Sequence, residues 1–201
     1  MGDEAFEGVL EFWFGEHPSL AKTIEKQSPL WWGKNADTDN EIERRFKFLL
    51  QRFKAGELDD WKQNAEGWLA LILLSDQFTR NIYRDTGAAF SLDQQALALC
   101  LEGIEKGIDI ELNPLQRVFF YLPLEHAESM SMQERSLKLQ RHLLDNVDAS
   151  LKPAFEGFYK YALAHKEVIE QFGRYPHRNT LLGRESTKEE LEYLAQPGSG
   201  F

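Results

Sequence analysis

The chain has 201 residues, of which 42% are hydrophobic and 12% aromatic, so it can bury a substantial single core and is not expected to be disordered. Its 33 acidic residues outnumber its 23 lysines and arginines, and the resulting formal charge of −10 argues against nucleic acid and anionic membranes as partners. An acidic start, the lack of a long apolar run and a single cysteine, Cys100, predict a cytoplasmic protein without an internal disulfide.

Apolar residues recur at helical spacing along the first half of the chain. This pattern predicts helices over residues 6–14, 40–54 and 65–84, with glycine or a turn signal after each. Residues 28–39 are expected to form an ordered loop, because Pro29 interrupts the pattern and two adjacent tryptophans follow it.

Helix start signals are frequent in the second half of the chain. Ser91, with Gln94 three residues later, predicts a capping box for a helix that ends near residue 107. Asn113 predicts the N-cap of a helix over residues 114–129 that is kinked at Pro123. Further helices are expected over residues 133–144 and 153–172, and Ser186 or Thr187 is expected to cap a short final one.

These elements predict an all-α fold, since no stretch of the sequence alternates as a strand would. We expect about eight helices in antiparallel pairs, as a tetratricopeptide-like α-solenoid or a bundle. Residues 1–196 are expected to form a single all-helical domain, and residues 197–201 to form a frayed tail.

One helix face changes from apolar to charged along its length. The stripe that starts at Leu69 and Leu73 continues at steps of three and four into polar side chains, which are Asp76, Gln77, Arg80 and Arg84. This face either emerges into solvent, with an ordinary ion pair between Asp76 and Arg80, or enters a polar site inside the protein.

Two other helices carry ionisable residues where their pattern calls for apolar ones. His165 lies in the apolar seam of residues 153–172, and His126 continues the seam of residues 114–129 beside Glu125. A lone histidine on an apolar face is usually a hydrogen-bonded core residue. Because three helices share the same irregularity, we predict a common polar pocket.

A basic segment follows the helix over residues 153–172. It contains Arg174, His177, Arg178 and Asn179, and Pro176 restricts its shape, while Arg184 precedes the last helix, whose start favours an anion. The arginines could neutralise Asp76, Glu125 and Glu128 in an internal network, or they could hold a bound carboxylate or phosphate.

The sequence resembles a bacterial family catalogued as domain of unknown function 924. The resemblance covers almost the whole chain and is carried by the segments VLEFWFG (9–15), WW (31–32), DQFTRNIYR (76–84), FYLPLEHAE (120–128), FGRYPHRN (172–179) and LGREST (182–187). It implies a tetratricopeptide-like helical fold. It implies no activity and no catalytic residue.

Three functions are consistent with these features. The pocket could bind a small anion, with or without acid–base catalysis by its histidines and glutamate; the helices could form a protein- or peptide-binding adaptor; or the polar cluster could be structural. Whether the protein is an enzyme stays open, and neither a cofactor nor a metal site is expected, because the spacing matches no standard ligand motif. The candidate ligand-binding residues are Asp76, Gln77, Arg80, Arg84, Glu125, His126, His165, Arg174, His177, Arg178, Asn179 and Arg184.

Overall fold

The structure is a computed structural model that describes residues 5–199, and over this range it contains helices and no strand, which confirms the all-α prediction. The α-helices are α1 (Phe6–Phe14), α2 (Leu20–Trp32), α3 (Ala36–Lys54), α4 (Ala65–Ile72), α5 (Thr79–Ile82), α6 (Asp93–Glu105), α7 (Pro114–His126), α8 (Met130–Asn146), α9 (Lys152–Phe172) and α10 (Lys188–Leu194). Residues 1–4, which include the acidic start, and residues 200–201 at the end of the predicted tail lie outside the described residues.

A π-helical segment, Leu73–Phe78, joins α4 to α5 and makes one continuous buried helix at the centre of the protein. The hydroxyls of Ser75 and Thr79 donate to carbonyls one turn earlier, at 2.7 and 2.8 Å. Such π segments widen a helix locally and are frequent at functional sites. This widened turn carries Asp76 and Gln77, two of the candidate residues.

Helix α2 corrects the prediction of a loop over residues 28–39. The helix continues through Pro29 to Trp32, and the next helix begins four residues later. Proline is tolerated near the end of the helix here, where the Pro29 carbonyl still accepts a hydrogen bond from the Gly33 amide at 3.1 Å. Tertiary packing stabilises this last turn, since the Trp31 ring lies 4.8 Å from the ring of Phe119.

The helix ends agree with some predicted caps and not with others. Asn113 and Thr187 cap their helices as predicted, each within a capping box, and Gly173 ends α9 in the left-handed conformation. The prediction of a capping box at Ser91 is wrong, because helix α6 begins two residues later and the Ser91 hydroxyl donates to the Ala88 carbonyl instead.

Helix α7 ends at His126, three residues before the predicted end. The side-chain amide of Gln133 in α8 donates to the backbone carbonyls of Glu125 and Ala127 at 2.7 and 2.8 Å, and so caps the last turn of α7. Helices α7, α8 and α9 pack successively against one another, and α1 packs on α4. None of the described helices is both long and apolar enough to cross a membrane.

Candidate functional site

A cavity of about 700 Å³ lies between α2, the central helix, α7, α9 and the segment that follows α9. This volume falls in the range of small-molecule binding sites. Its lining includes Trp31, Trp32, Gln77, Arg80, Asn81, Arg84, Phe90, Leu122, Glu125, His126, Gln140, Phe158, Tyr161, His165, His177 and Arg178.

Aromatic side chains form one wall of the cavity. Trp32 of α2 stacks on Tyr161 of α9 with 6.3 Å between ring centroids, and the Phe158 ring lies 6.1 Å from that of Trp32. Trp32 is 47% exposed and Tyr161 is 59% exposed, although both are large and apolar. These rings therefore leave an aromatic surface open to a planar molecule.

A fully buried carboxylate, Asp76, pairs with His126 at the cavity wall. Oδ1 of Asp76 lies 2.7 Å from Nδ1 of His126, and Oδ2 accepts a hydrogen bond from the Gln77 amide. Burial by itself would raise the pKa of Asp76, but His126 and Arg80 outweigh it and lower that pKa well below its usual range. Asp76 is therefore a carboxylate, and it orients the ring of His126.

Arg80 lies within ion-pair distance of Asp76, as expected, but its closer partner is Asp93 of α6. Its Nη1 and Nη2 donate to the two carboxylate oxygens of Asp93 at 2.9 and 3.2 Å, whereas its distance to Oδ1 of Asp76 is 3.7 Å. A bidentate arginine–carboxylate pair of this kind is geometrically defined. Asp93 was not predicted as a site residue, because in the sequence it looks like an ordinary acidic residue in the first turn of a helix.

Arg178 reaches the same carboxylate from the C-terminal segment. Its Nη1 donates to Oδ2 of Asp93 at 3.2 Å and to the backbone carbonyl of His126 at 3.1 Å. The guanidinium also lies over the rings of Phe90 and Tyr175, 4.7 and 4.5 Å from their centroids. Its buried Nε has no hydrogen-bond partner among the described residues.

Glu125 is buried beside the pair of Asp76 and His126 without an arginine partner. Its Oε1 accepts hydrogen bonds from Gln140 and Ser136, at 2.9 and 3.2 Å. Burial raises the pKa of Glu125 to about 8, against the opposing effect of these two donors. At neutral pH this side chain is mostly a protonated carboxylic acid.

The histidines of the cavity are neutral at physiological pH. Burial and the neighbouring His126 lower the pKa of His165 to about 3, and burial together with Arg178 lowers the pKa of His177 to about 4. Burial and Arg80 also lower the pKa of His126, although Asp76 opposes them. Nδ1 of His165 bonds the Tyr161 carbonyl at 2.8 Å, which leaves Nε2 as its acceptor.

A second polar cluster holds the C-terminal segment in place and lies apart from the cavity lining. Arg174 donates to both oxygens of Glu190 at 2.7 and 2.8 Å, and the Asn179 amide donates to the same carboxylate at 3.1 Å. Arg184 pairs with Glu128 at 2.6 Å. At the start of α10, the backbone amide of Thr187 already donates to Glu190 within a capping box.

The structure divides the twelve candidate residues between these two places. Gln77, Arg80, Arg84, Glu125, His126, His165, His177 and Arg178 line the cavity, and Asp76 lies directly behind His126. Arg174, Asn179 and Arg184 belong to the second cluster. Arg84 is already paired, because its Nη2 donates to Asp39 of α3 at 2.8 Å.

Other lining residues gave no recognisable signal in the sequence. Gln140 lies in a polar pattern on α8, and Phe90 and Tyr161 read as ordinary apolar or surface positions. Within residues 5–199, no three histidine, cysteine, aspartate or glutamate side chains converge as a metal site would require.

The sequence profile of a family described as "Bacterial protein of unknown function (DUF924)" matches residues 9–198, and the chain belongs to this family. Its structure is similar to that of a protein of unknown function, ATU0120, from Agrobacterium tumefaciens. The two chains are 35% identical and superpose with a TM-score of 0.78 over 94% of this chain and 96% of the other. No curated protein shows significant sequence similarity to it.

Proposed function

We propose that this member of the DUF924 family binds a small organic molecule that combines a planar apolar body with a carboxylate or phosphate head. The body would stack on the aromatic wall formed by Trp32, Phe158 and Tyr161, and the head would bind Arg178. The proposal rests on one observation above all, which is the incompletely paired guanidinium of Arg178 at the wall of a cavity of about 700 Å³.

The bonding of Arg178 supports this role for its remaining edge. Asp93 and the His126 carbonyl both use Nη1, so Nε and Nη2 form the edge that is not engaged in these bonds. That edge has the spacing that binds a carboxylate or phosphate through two parallel hydrogen bonds. A buried arginine whose hydrogen bonds are only partly satisfied is costly, and an anionic ligand would offset that cost.

The charges around the cavity restrict how an anion can enter. Arg80 and Arg178 are balanced by Asp76 and Asp93, while Glu125 and the histidines are neutral near pH 7. An anion would add a negative charge to a balanced group, so it would favour the neutral form of Glu125. Binding should therefore weaken as the pH rises through about 8, where the pKa of Glu125 lies and its carboxyl group ionises.

Two other roles were expected from the sequence. A purely structural network describes the second cluster well, since Arg174, Asn179 and Glu190 satisfy one another. It leaves unexplained a cavity of about 700 Å³ that Arg178 lines. A protein- or peptide-binding adaptor would instead present an extended groove along successive helices, and no particular observation at the cavity favours that role.

A thermal-shift comparison tests the proposal. The purified chain is melted with phenylacetate, indole-3-acetate and phenyl phosphate, and with phenylacetamide as the uncharged match of phenylacetate. We expect one or more of the anions to raise the melting temperature in a concentration-dependent way, while the amide does not.

Arg178→Met is the matched variant, since it keeps an apolar side chain of similar length between the rings of Phe90 and Tyr175. It should lose the anion-dependent shift, and Lys188→Met on the exposed face of α10 should retain it. Absence of a shift with all three anions, or equal shifts with acid and amide, would refute the proposal.

A further inference from the structure

The bonding of His126 leaves its second nitrogen in position to accept a proton from a bound molecule. Its Nδ1 is hydrogen-bonded to the Asp76 carboxylate at 2.7 Å, so the ring proton resides on Nδ1 and the lone pair on Nε2. The ring lines the cavity, whereas Asp76 is entirely buried behind it. This is the arrangement by which a carboxylate orients a histidine base and stabilises the imidazolium that forms.

Glu125, the residue before His126, offers the complementary group. Its Oε1 is held by Gln140 and Ser136, while Oε2 lies 3.9 Å from Nδ1 of His165, beyond hydrogen-bond distance. That nitrogen already bonds the Tyr161 carbonyl. The carboxyl proton of Glu125 is thus available to an acceptor in the cavity. Glu125 as a neutral acid can donate a proton, while His126 as a neutral base accepts one.

Arg178 connects the proposed anion site to this acid and base. Its Nη1 donates to the backbone carbonyl of His126 at 3.1 Å, and Arg178, His126 and Glu125 line the same cavity. A molecule bound to Arg178 through a carboxylate would therefore share the cavity with this acid and base. In a 2-oxo acid, the atoms one and two bonds from the carboxylate are a carbonyl carbon and a carbon with an acidic C–H bond.

We infer that His126 and Glu125 catalyse the enolisation of a bound 2-oxo acid, with Asp76 as the residue that positions His126; this inference rests on the anion binding proposed above. Nε2 of His126 takes a proton from C3, and the C3–H electron pair becomes the C2–C3 double bond. The carbonyl π pair moves to oxygen, which takes the carboxyl proton of Glu125. Return of both protons regenerates the keto form, so no oxidant, reductant or further reactant is needed.

Phenylpyruvate is a suitable probe because it has an aromatic ring, a carboxylate and an enolisable carbon. In D₂O, incorporation of deuterium at C3 is followed by NMR, and enol formation by ultraviolet absorbance. We expect the protein to accelerate both above the rate of the buffer. His126→Asn can still donate to Asp76 but lacks Nε2, so it should lower the exchange rate about 100-fold or more while retaining the thermal shift by phenylpyruvate.

Two further variants separate catalysis from folding and binding. Glu125→Gln keeps an acceptor for Gln140 but cannot transfer a proton, and it should slow enol formation about tenfold or more. His142→Asn, at an exposed histidine of α8, should leave the exchange rate unchanged. If His126→Asn fails to fold, the wild-type rate and Glu125→Gln still decide the question.

The outcomes distinguish this inference from the proposed function. A thermal shift with phenylpyruvate but no exchange above the buffer rate would overturn the inference and leave the binding proposal intact. Equal exchange by wild type and folded His126→Asn would do the same. Absence of any thermal shift with phenylpyruvate and with the three other anions would overturn both.

Discussion

Nδ1 of His126 lies 2.7 Å from Oδ1 of Asp76, a residue 50 positions earlier that has no exposed surface. The pair joins the end of α7 to the π-helical segment of the central helix, next to the cavity. A buried carboxylate in this position needs its partners, because water cannot replace them. The contact therefore contributes both to stability and to the geometry of the cavity wall.

Replacement of Asp76 by asparagine tests how much this contact stabilises the protein. Asp76→Asn removes the charge that His126 and Arg80 stabilise, and it should lower the free energy of unfolding by about 2–4 kcal/mol. Urea denaturation followed by circular dichroism measures the change. Asp37→Asn, in the exposed first turn of α3, is the control and should change stability by less than about 0.5 kcal/mol. Equal effects of the two variants would contradict the assigned role of Asp76.

The pKa of Glu125, raised from 4.5 to about 8, predicts a pH-dependent stability. Between these values the folded protein holds a proton that the unfolded chain has lost, so this residue makes stability fall as the pH rises, by at most about 1.4 kcal/mol per pH unit. Glu125→Gln removes this contribution. The free energy of unfolding of the variant should therefore increase relative to that of wild type as the pH rises from 5 to 8, as measured by urea denaturation at each pH.

Glu134→Gln, at an exposed position of α8, controls for the loss of one charge. The free energy of unfolding of this control should change with pH in parallel with that of wild type over the same range. A constant difference between Glu125→Gln and wild type at every pH would show that Glu125 is ionised in the folded protein.

The second cluster should contribute to stability without affecting the cavity. Glu190 is 2% exposed and accepts hydrogen bonds from Arg174, Asn179 and the Thr187 amide. Glu190→Gln should lower the free energy of unfolding by about 1–3 kcal/mol, a value reduced because Arg174 is partly exposed. The anion-dependent thermal shift should persist. Glu189→Gln, at the exposed neighbouring position, should change neither quantity. Loss of the thermal shift in folded Glu190→Gln would mean that the two clusters act together.

Trp32 should contribute more to ligand binding than to folding. It is 47% exposed and stacks on Tyr161 at the cavity wall. Trp32→Ala should weaken binding of the stabilising aromatic anion about tenfold, as measured by isothermal titration calorimetry. Phe48→Ala removes a similarly exposed aromatic ring, 55% exposed, from α3 outside the cavity lining and should leave the affinity unchanged. Equal affinities of wild type and Trp32→Ala would exclude the aromatic wall as part of the binding site.

Helical periodicity and cap chemistry allowed most of the fold to be predicted, because both act over a few neighbouring residues. Asn113 and Thr187 mark helix starts that the structure confirms. Ionisable residues in apolar faces also identified positions that need partners, among them His126 and His165. Helix α2 was missed because its last turn is stabilised by packing of Trp31 on Phe119, a contact between residues distant in the chain.

The pairing of charges was decided only by the tertiary structure. From the sequence, Arg80 had an acidic neighbour four residues away in Asp76, yet its bidentate partner is Asp93. Arg178 contacts the same carboxylate across 85 residues of chain. Local spacing predicts which residues need partners, but the choice among partners depends on how helices pack over distances that no local pattern records. The packing of the helices thus places Arg178 in the wall of a cavity and Arg174 in a separate cluster that holds the C-terminal segment in place.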